Sequence, residues 1–326
     1  MKVVALAGGV GGAKLVDGLA KILPGESLTI IVNTADDFDH FGLRICPDLD
    51  TVCYTLAGIA NPKTGWGQEG ETWQAMETVD QLGGPTWFRL GDRDLGTHME
   101  RTRLLKEGKV LSEICHNFST KWEIAARVLP MSDDRVATVV HSSEGDLPFQ
   151  DYFVKYHCEP QVSGFYFEGV DSATPAPGVL ESLLAADLVV ICPSNPWVSI
   201  DPILAVTDIP GAMIENVEGK CVIAVSPIIQ GKTVKGPAAK MFLEMGISPS
   251  AANVAVHYGS ISSGGLLSGF ILDTLDEDQQ NAIHKLGISS LVRNTLMKTP
   301  TDRINLAEQV IEFGELLLRD HKSVLS

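Results

Sequence analysis

Residues 3–14 read Val-Val-Ala-Leu-Ala-Gly-Gly-Val-Gly-Gly-Ala-Lys, and this stretch is the strongest indication of the fold class in the chain. The five apolar residues predict a buried strand, the glycines predict a loop, and Ala13 begins a predicted helix. Glycines let a backbone approach a ligand closely, and a helix N-terminus presents unpaired N–H groups to an anion. Lys14 falls in the first helical turn, where a cation opposes the helix dipole and needs another reason to be present. The stretch therefore predicts a loop that binds phosphate.

This glycine pattern departs from both common phosphate-binding fingerprints. The dinucleotide fingerprint needs Gly-x-Gly-x-x-Gly, but counted from Gly9 its third glycine position is occupied by Lys14. The P-loop needs Gly-Lys followed by Ser or Thr, whereas residues 13–15 are Ala-Lys-Leu. Gly9, Gly11, Gly12 and Lys14 are therefore candidate phosphate ligands in a non-standard loop. The alternative is a tight strand-to-helix turn that binds nothing.

Composition excludes several classes of function. The 326 residues are 44% hydrophobic and 20% charged, which is typical of a soluble globular protein large enough for one big α/β domain. A formal charge of −16 disfavours nonspecific binding to nucleic acid or to an anionic membrane. The six cysteines contain no Cys-x-x-Cys pair, so free thiols are expected rather than zinc ligands or disulfides. With no apolar run of about 18 residues and no signal-peptide pattern, a cytoplasmic location is expected.

Alternating strand and helix patterns predict the architecture. A second buried strand at Leu28–Val32 follows a short helix, which implies a parallel βαβ unit with a right-handed crossover. Further apolar strands are predicted at 188–192 and 221–225, and an amphipathic helix at 301–318. Between them, 135–141 and 150–156 have alternating patterns that favour β-structure, and 164–178 is a candidate hinge. We expect one Rossmann-like α/β domain over 1–326, with a mostly parallel sheet flanked by helices and a smaller helical/β insertion at about 59–178.

Polar residues cluster where the predicted strands end, which is where open α/β sheets bind ligands. Asp37 follows the second strand and is suited either to a ribose hydroxyl or to a turn. Asp48 and Asp50 follow Pro47 in a predicted first helical turn, where they could cap the helix or, with phosphate oxygens, bind Mg²⁺. Four more candidates follow the later strands and would form a crevice for a phosphorylated ligand: Ser194, Asn195, Ser226 and Gly231.

A charged loop is predicted at 91–98, after a short strand. Its sequence, Gly-Asp-Arg-Asp-Leu-Gly-Thr-His, could hold Arg93 at a fixed angle to a ligand, although such a loop could also be merely solvated. His98 is a possible general base, although a lone histidine is more often structural. No Ser, Cys or His is placed as an activated nucleophile, so no covalent intermediate is expected.

Six motifs in the same order together resemble one enzyme family. They are Gly-Gly-Val-Gly-Gly-Ala-Lys at 8–14, Arg-Ile-Cys-Pro-Asp-Leu-Asp-Thr at 44–51, the 91–98 motif, Leu-Pro-Met-Ser-Asp-Asp at 129–134, Pro-Ser-Asn-Pro at 193–196 and Val-Ser-Pro-Ile-Ile at 225–229. The chain is similar to the 2-phospho-L-lactate transferases of deazaflavin coenzyme F-420 biosynthesis. Residues 44–47 and the segment around Trp66 look more like the bacterial, phosphoenolpyruvate-type branch.

The resemblance implies a Mg²⁺-dependent transfer of 2-phospho-L-lactate or phosphoenolpyruvate from a guanosine-diphosphate-activated donor to the ribityl hydroxyl of a deazaflavin, with release of GMP. It places the deazaflavin contacts on Asp50 and Arg93, to which we add Asp37 and His98. Asp50 is expected to orient or activate the hydroxyl, and Asp37 and Asp50 are the candidate Mg²⁺ ligands. The glycine loop with Lys14, together with Ser194, Asn195, Ser226 and Gly231, would bind phosphates, and a homodimer is the family-level expectation.

Two other functions share the first βαβ unit. A nicotinamide-dependent oxidoreductase would need the third glycine that this chain lacks. A sister family with a similar glycine-rich N-terminus regulates metabolism by binding nucleotide-sugars, but it generally lacks the Pro-Asp-Leu-Asp and Gly-Asp-Arg-Asp motifs present here. Binding of a uridine diphosphate sugar without binding of deazaflavin would favour that regulatory function.

Overall fold

A computed structural model describes residues 1–215 and 219–324. For residues 320–324 it describes the backbone alone. The strands are β1 (Val3–Ala7), β2 (Leu28–Val32), β3 (Phe38–His40), β4 (Leu43–Ile45), β5 (Arg127–Pro130), β6 (Ala137–Ser142), β7 (Gly145–Pro148), β8 (Val162–Glu168), β9 (Leu188–Ile191), β10 (Cys221–Val225), β11 (Ile228–Ile229), β12 (Lys232–Thr233), β13 (Gly269–Asp273) and β14 (Ser289–Arg293).

The helices are α1 (Gly9–Ile22), α2 (Pro47–Leu56), α3 (Gln74–Gln81), α4 (Asp92–Lys106), α5 (Leu111–Lys121), α6 (Val179–Leu184), α7 (Asp201–Ala205), α8 (Ile209–Ile214), α9 (Ala238–Glu244), α10 (Ala251–Tyr258), α11 (Gln280–Lys285) and α12 (Pro300–Val324). Short 3₁₀ or π turns connect several of them. No helix in the described ranges is both long and apolar enough to cross a membrane.

The central sheet has seven parallel strands in the order β14-β13-β10-β9-β1-β2-β5. Its inner strands are apolar along their whole length because helices cover both faces. The chain runs outward from β1 through β2 to β5, then crosses back to β9 and continues through β10, β13 and β14. This is the doubly wound order with one added strand, so the topological switch point lies between β1 and β9. The predicted α/β, Rossmann-like fold class is confirmed.

Two apolar layers cover the two faces of this sheet. On one face, Leu15 and Leu19 of α1 pack with α2 and α12 on alternate residues of β1, β2, β9 and β10. On the other, helices α6 to α11 and the small sheet β7-β6-β8 cover the remaining residues. Helices α1 and α12 approach closely at Gly18, where a β-carbon would lie 2.1 Å from the Arg303 carbonyl oxygen. The close packing fixes the N-terminus of α1 at the switch point.

Most predicted elements are present, and the differences from the prediction are as follows. Helix α1 begins at Gly9 rather than Ala13, so the glycines form its first turn, because the Gly9 N–H finds a carboxylate acceptor in Asp48. The segment predicted as strand at 150–156 is a single helical turn that buries Tyr152; its alternating pattern also fits such a turn. Strand β8 pairs with β6 instead, and it occupies the first part of the predicted hinge at 164–178.

The charged segment at 91–98 is also not a loop, and no strand precedes it. Asp92 begins α4, with Asp92 and Asp94 in its first turn, where acidic residues suit the helix dipole. The division into one domain with an insertion at 59–178 stays a prediction, although β5 falls within that range and pairs with β2 in the central sheet.

Candidate functional site

A cleft of about 690 Å³ opens at the carboxyl ends of the central strands, at the switch point of the sheet. Eight of the predicted site residues line it: Gly9, Gly11, Lys14, Asp50, His98, Ser194, Asn195 and Ser226. Gly12, Asp37, Arg93 and Gly231 are outside its lining. Residues from segments nearly 300 positions apart in the chain, from Gly8 to Met297, therefore meet at one surface.

The N-terminus of α1 lies at the base of the cleft and already holds a carboxylate. The Gly9 N–H donates to Asp48 Oδ1 over 2.8 Å, and the Asn33 amide donates to Asp48 Oδ2 over 3.0 Å. Ser194 Oγ donates to the Gly8 carbonyl over 2.8 Å, which fixes the loop after β9 against the loop after β1. The end of α1 is thus an anion-binding position built from three segments of the chain.

Two of the glycines permit this close packing. At Gly11 a β-carbon would lie 2.3 Å from the Pro193 carbonyl oxygen, and at Gly12 it would lie 2.7 Å from Ser194 Oγ. Gly12 is buried and packs against β1, so its missing side chain serves the contact between segments. The glycine pattern therefore reflects packing between α1 and the loop after β9 as well as access for a ligand.

Two lysines lie at one end of the cleft. Lys14 Nζ donates to the Met297 carbonyl over 2.8 Å, and Lys235 Nζ donates to the Thr64 carbonyl. Burial, then the nearby Arg303 and Lys235, lower the pKa of Lys14. Carbonyl oxygens hold both ammonium groups, and an anionic ligand in the cleft would relieve their mutual repulsion.

Buried carboxylates lie deeper in the cleft. Burial raises the pKa of Asp48 to about 6, and burial together with the neighbouring Asp48 raises the pKa of Asp36 well above its ordinary value. Asp36 Oδ1 is buried and has no hydrogen-bond partner among the described residues. Two adjacent carboxylates, one incompletely satisfied, form a site that favours a proton or a cation.

Asp50 lies in a buried ion pair rather than free in the cleft. Both of its oxygens accept from the Arg101 guanidinium, whose Nη1 lies 3.1 Å from Asp50 Oδ2. The carboxylate raises the pKa of Arg101 against the opposing effect of burial. His98 Nδ1 lies 3.2 Å from Arg101 Nη1, and burial lowers the pKa of His98 to about 4, so its imidazole is neutral at pH 7. A neutral histidine beside an arginine is suited to hold that arginine in place.

The three other charged or turn positions lie outside the cleft. Asp37 is buried 3.8 Å from Arg44, and burial raises its pKa to about 7. Arg93 is exposed, and its guanidinium donates to the Glu69 carbonyl over 2.8 Å. Gly231 lies in the β11–β12 turn, which Asp276 fixes by accepting from the Gln230 N–H. The roles given to these residues in binding stay predictions.

Sequence reasoning missed Arg101, Asp36, Asp94 and Arg89. Arg101 follows His98 by three positions, which places both on one face of α4, and this spacing was a usable signal. Asp36 directly precedes Asp37, which was predicted as a site residue. The two differ in side-chain direction, and of the two only Asp36 lines the cleft. Asp94 and Arg89 flank the Gly-Asp-Arg motif, and both line the cleft.

Aromatic side chains form part of the cleft lining. They are Trp66, Phe88, Phe149 and Phe153, and the rings of Phe149 and Phe153 stack with centroids 5.4 Å apart. Such side chains accommodate a flat aromatic ligand through apolar contact. The cleft therefore combines a cationic end, a carboxylate cluster and an apolar face.

The doubly wound sheet, with a helix N-terminus and a cleft at its switch point, defines a Rossmann-like α/β protein. The family model for 2-phospho-L-lactate transferase CofD matches residues 3–294 of the sequence, so the chain belongs to this family. Membership confirms the resemblance drawn from the six motifs, and it assigns the chain to the transferases.

Two curated relatives support the family assignment. A protein named phosphoenolpyruvate transferase from Streptomyces griseus is 42% identical over 320 residues, covering 97% of this chain and 99% of the relative. One of the same name from Streptomyces coelicolor is 41% identical over 320 residues, covering 97% and 98%. A solved member of the UPF0052 family from Bacillus halodurans has a TM-score of 0.62 at 14% identity, covering 95% of this chain and 98% of that one, and it supports the fold alone.

Proposed function

We propose that this protein transfers a phospho-acid, phosphoenolpyruvate or 2-phospho-L-lactate, from a guanosine-diphosphate-activated donor to the primary ribityl hydroxyl of 7,8-didemethyl-8-hydroxy-5-deazariboflavin in coenzyme F-420 biosynthesis. The relatives named phosphoenolpyruvate transferase favour the enolpyruvyl donor. The observation that carries the proposal is one cleft whose lining includes both lysines suited to a phosphate and aromatic side chains suited to a flat ring. Donor and acceptor then lie side by side, as transfer requires.

In this reaction one P–O bond forms, one P–O bond breaks, and one proton is transferred. The acceptor hydroxyl oxygen attacks the phosphorus that carries the acid, the bond from that phosphorus to the bridging oxygen breaks, and its electron pair leaves with GMP. The hydroxyl proton passes to a base. Catalysis of this kind is mostly positioning and neutralisation of charge on the phosphate oxygens. Lys14, Lys235 and the N-terminus of α1 would supply that neutralisation on the donor.

The carboxylates of the cleft fit a Mg²⁺ ion that shares phosphate ligands. Within the described ranges no group of three metal-ligating side chains is present, so phosphate oxygens and water would complete its coordination. Arg101 engages Asp50, and Asp37 lies outside the cleft lining, whereas Asp36 lines the cleft and retains an unpartnered oxygen beside Asp48. We therefore favour Asp36 and Asp48 as the residues that would hold the ion. Bound there, Mg²⁺ would offset the negative charge of the donor.

The first experiment is a fluorescence titration of the deazaflavin against the protein, with and without Mg²⁺ and GDP. Saturable binding supports the proposal, and GMP release with each activated acid then identifies the donor. If the protein binds uridine diphosphate sugars and fails to bind the deazaflavin under all conditions, the transferase proposal is wrong and the regulatory function replaces it.

Variants of two arginines locate the acceptor. Both arginines are exposed, but Arg89 lines the cleft and its guanidinium stacks on Trp73, whereas Arg93 lies outside the cleft lining and donates to the Glu69 carbonyl. We expect Arg89→Ala to weaken deazaflavin binding more than Arg93→Ala does in the same titration. A loss of binding confined to Arg93→Ala would instead support the role that the family resemblance gives to Arg93.

The assembly and location of the protein stay proposals. We propose a homodimer, as the family resemblance implies, and a cytoplasmic location. Light scattering during size-exclusion chromatography measures the mass in solution, and a value near 35.0 kDa, that of one chain, would contradict the dimer.

A further inference from the structure

The side chain of Asp94 lies in the lining of the cleft, and one of its oxygens has no hydrogen-bond partner among the described residues. The residue is 8% exposed and lines the cleft, and its Oδ1 is buried without a hydrogen-bond partner in the described part of the chain. The segment that faces it carries Gly67, at which a β-carbon would lie 3.3 Å from Asp94 Oδ2. The absence of a side chain at Gly67 leaves room beside the carboxylate.

Capping of α4 does not account for this carboxylate. Glu71 accepts from the N–H groups of Arg93 and Asp94 over 2.8 and 3.0 Å, so a different carboxylate caps the helix. The side chain of Asp94 is thereby released from the usual role of an acidic residue in a first helical turn. A buried, unpartnered polar group in a cleft calls for a ligand.

The other carboxylates of the cleft are less suited to accept a proton from a substrate. Arg101 engages both oxygens of Asp50, and an arginine keeps its charge in a protein. Asp48 accepts from the Gly9 N–H and the Asn33 amide, and its neighbour Asp36 lies at the cation position favoured above. Asp94 is the remaining carboxylate of the described cleft lining with a free oxygen.

We propose that Asp94 is the catalytic base that accepts the proton of the acceptor hydroxyl, with the Asp50–Arg101 pair beside it as a fixed element. This rests on the proposed transferase function. As the hydroxyl oxygen bonds to phosphorus, its O–H bond breaks and the proton moves to an Asp94 carboxylate oxygen. The electron pair of the cleaved P–O bond leaves with GMP, and Asp94 later returns its proton to water.

The surroundings of Asp94 suit this role at physiological pH. Burial, then the charge of Asp50, raise its pKa to about 7, with a further increase from Glu71. The Tyr54 hydroxyl of α2 and the Arg101 guanidinium of its own helix act in the opposite direction. A base whose pKa lies near the working pH transfers protons most effectively.

The test replaces Asp94 by Asn and follows GMP release against pH, with deazaflavin affinity measured on the same protein. Loss of a general base lowers kcat by about 100-fold or more, and we expect that loss with deazaflavin Kd changed by less than about threefold. Wild-type activity falls below about pH 7 as Asp94 takes up a proton, and this acidic limb should be absent from the residual activity of the variant. Asp80→Asn, at an exposed position of α3, is the matched control and should behave like the wild type.

A second variant keeps the test decisive if Asp94→Asn does not fold. Because the Tyr54 hydroxyl lowers the pKa of Asp94, Tyr54→Phe should move the acidic limb to higher pH while activity persists at its plateau. Full activity of Asp94→Asn, or an unmoved limb in Tyr54→Phe, overturns the role of Asp94 and leaves the transferase function standing. Absence of GMP release from the wild type with either donor overturns both.

Discussion

Replacing Asp94 by Asn should make the protein more stable, and the gain should depend on pH. Burial raises the pKa of this carboxyl from the ordinary value of 3.8 to about 7. A group whose pKa is raised in the folded state favours the protonated form, so the wild type loses stability as pH rises between these two values. Each pH unit of that interval costs about 1.36 kcal/mol. Asparagine carries no charge and avoids the loss.

The magnitude follows from the size of the shift. From pH 5 to the folded pKa of about 7 lie two pH units, so the advantage of Asp94→Asn should grow by about 3 kcal/mol between pH 5 and pH 8. Contributions from Asp36, Asp37 and Asp48 are common to both proteins and cancel in the difference.

Urea unfolding followed by tryptophan fluorescence at a series of pH values measures this difference. The wild type and the variant are compared at each pH, with Asp80→Asn as a control whose difference from the wild type should be flat. A constant difference between wild type and Asp94→Asn across pH 5 to 8 would refute the raised pKa of Asp94. It would also remove the physical reason for its role as a base.

Two further tests concern packing and the buried ion pair. Arg101→Met should destabilise the fold by about 3–5 kcal/mol because it leaves Asp50 unpaired, and adding Asp50→Asn should recover part of the loss in urea unfolding. Equal stability of single and double variants would contradict this. Gly11→Ala should lower the free energy of unfolding by about 1–3 kcal/mol, because the new β-carbon clashes with the Pro193 carbonyl. Gly96→Ala has open space around it inside α4 and should raise the free energy of unfolding by about 0.5–1 kcal/mol. Thermal melting measures both, and a more stable Gly11→Ala than Gly96→Ala would refute the packing argument.

Local patterns sufficed for much of the sheet. The bounds of β1, β2 and β10 follow directly from apolar runs between turn residues, because strands covered on both faces are almost entirely apolar, with Thr29 the exception in β2. The prediction of a strand at 150–156 was wrong, because a short stretch with aromatic and β-branched residues (Gln-Asp-Tyr-Phe-Val-Lys-Tyr) also fits one helical turn with a single buried side chain. Short segments of this kind depend on the surface against which they pack.

For the candidate site, too, some residues could be predicted from the sequence and others could not. The glycine loop, Lys14, Asp50 and the residues after β9 and β10 were found because the carboxyl ends of neighbouring parallel strands meet at one edge. The choice of Asp37 over Asp36 could not be made from sequence, since adjacent residues differ only in side-chain direction. The same holds within the 91–98 motif, where Asp94 faces the cleft and Arg93 faces solvent.

Fold class, family and the edge of the sheet at which the candidate cleft lies could thus be inferred from the sequence alone. Those properties depend on hydrophobic period, on turn residues and on the order of short motifs, all of which are local. Which carboxylates of the cleft keep an unpartnered oxygen, among the residues that the structure describes, depends on contacts between distant segments. Arg101 neutralises Asp50 and Glu71 caps the helix of Asp94 across chain separations of 51 and 23 residues, and contacts of that range have no local signature.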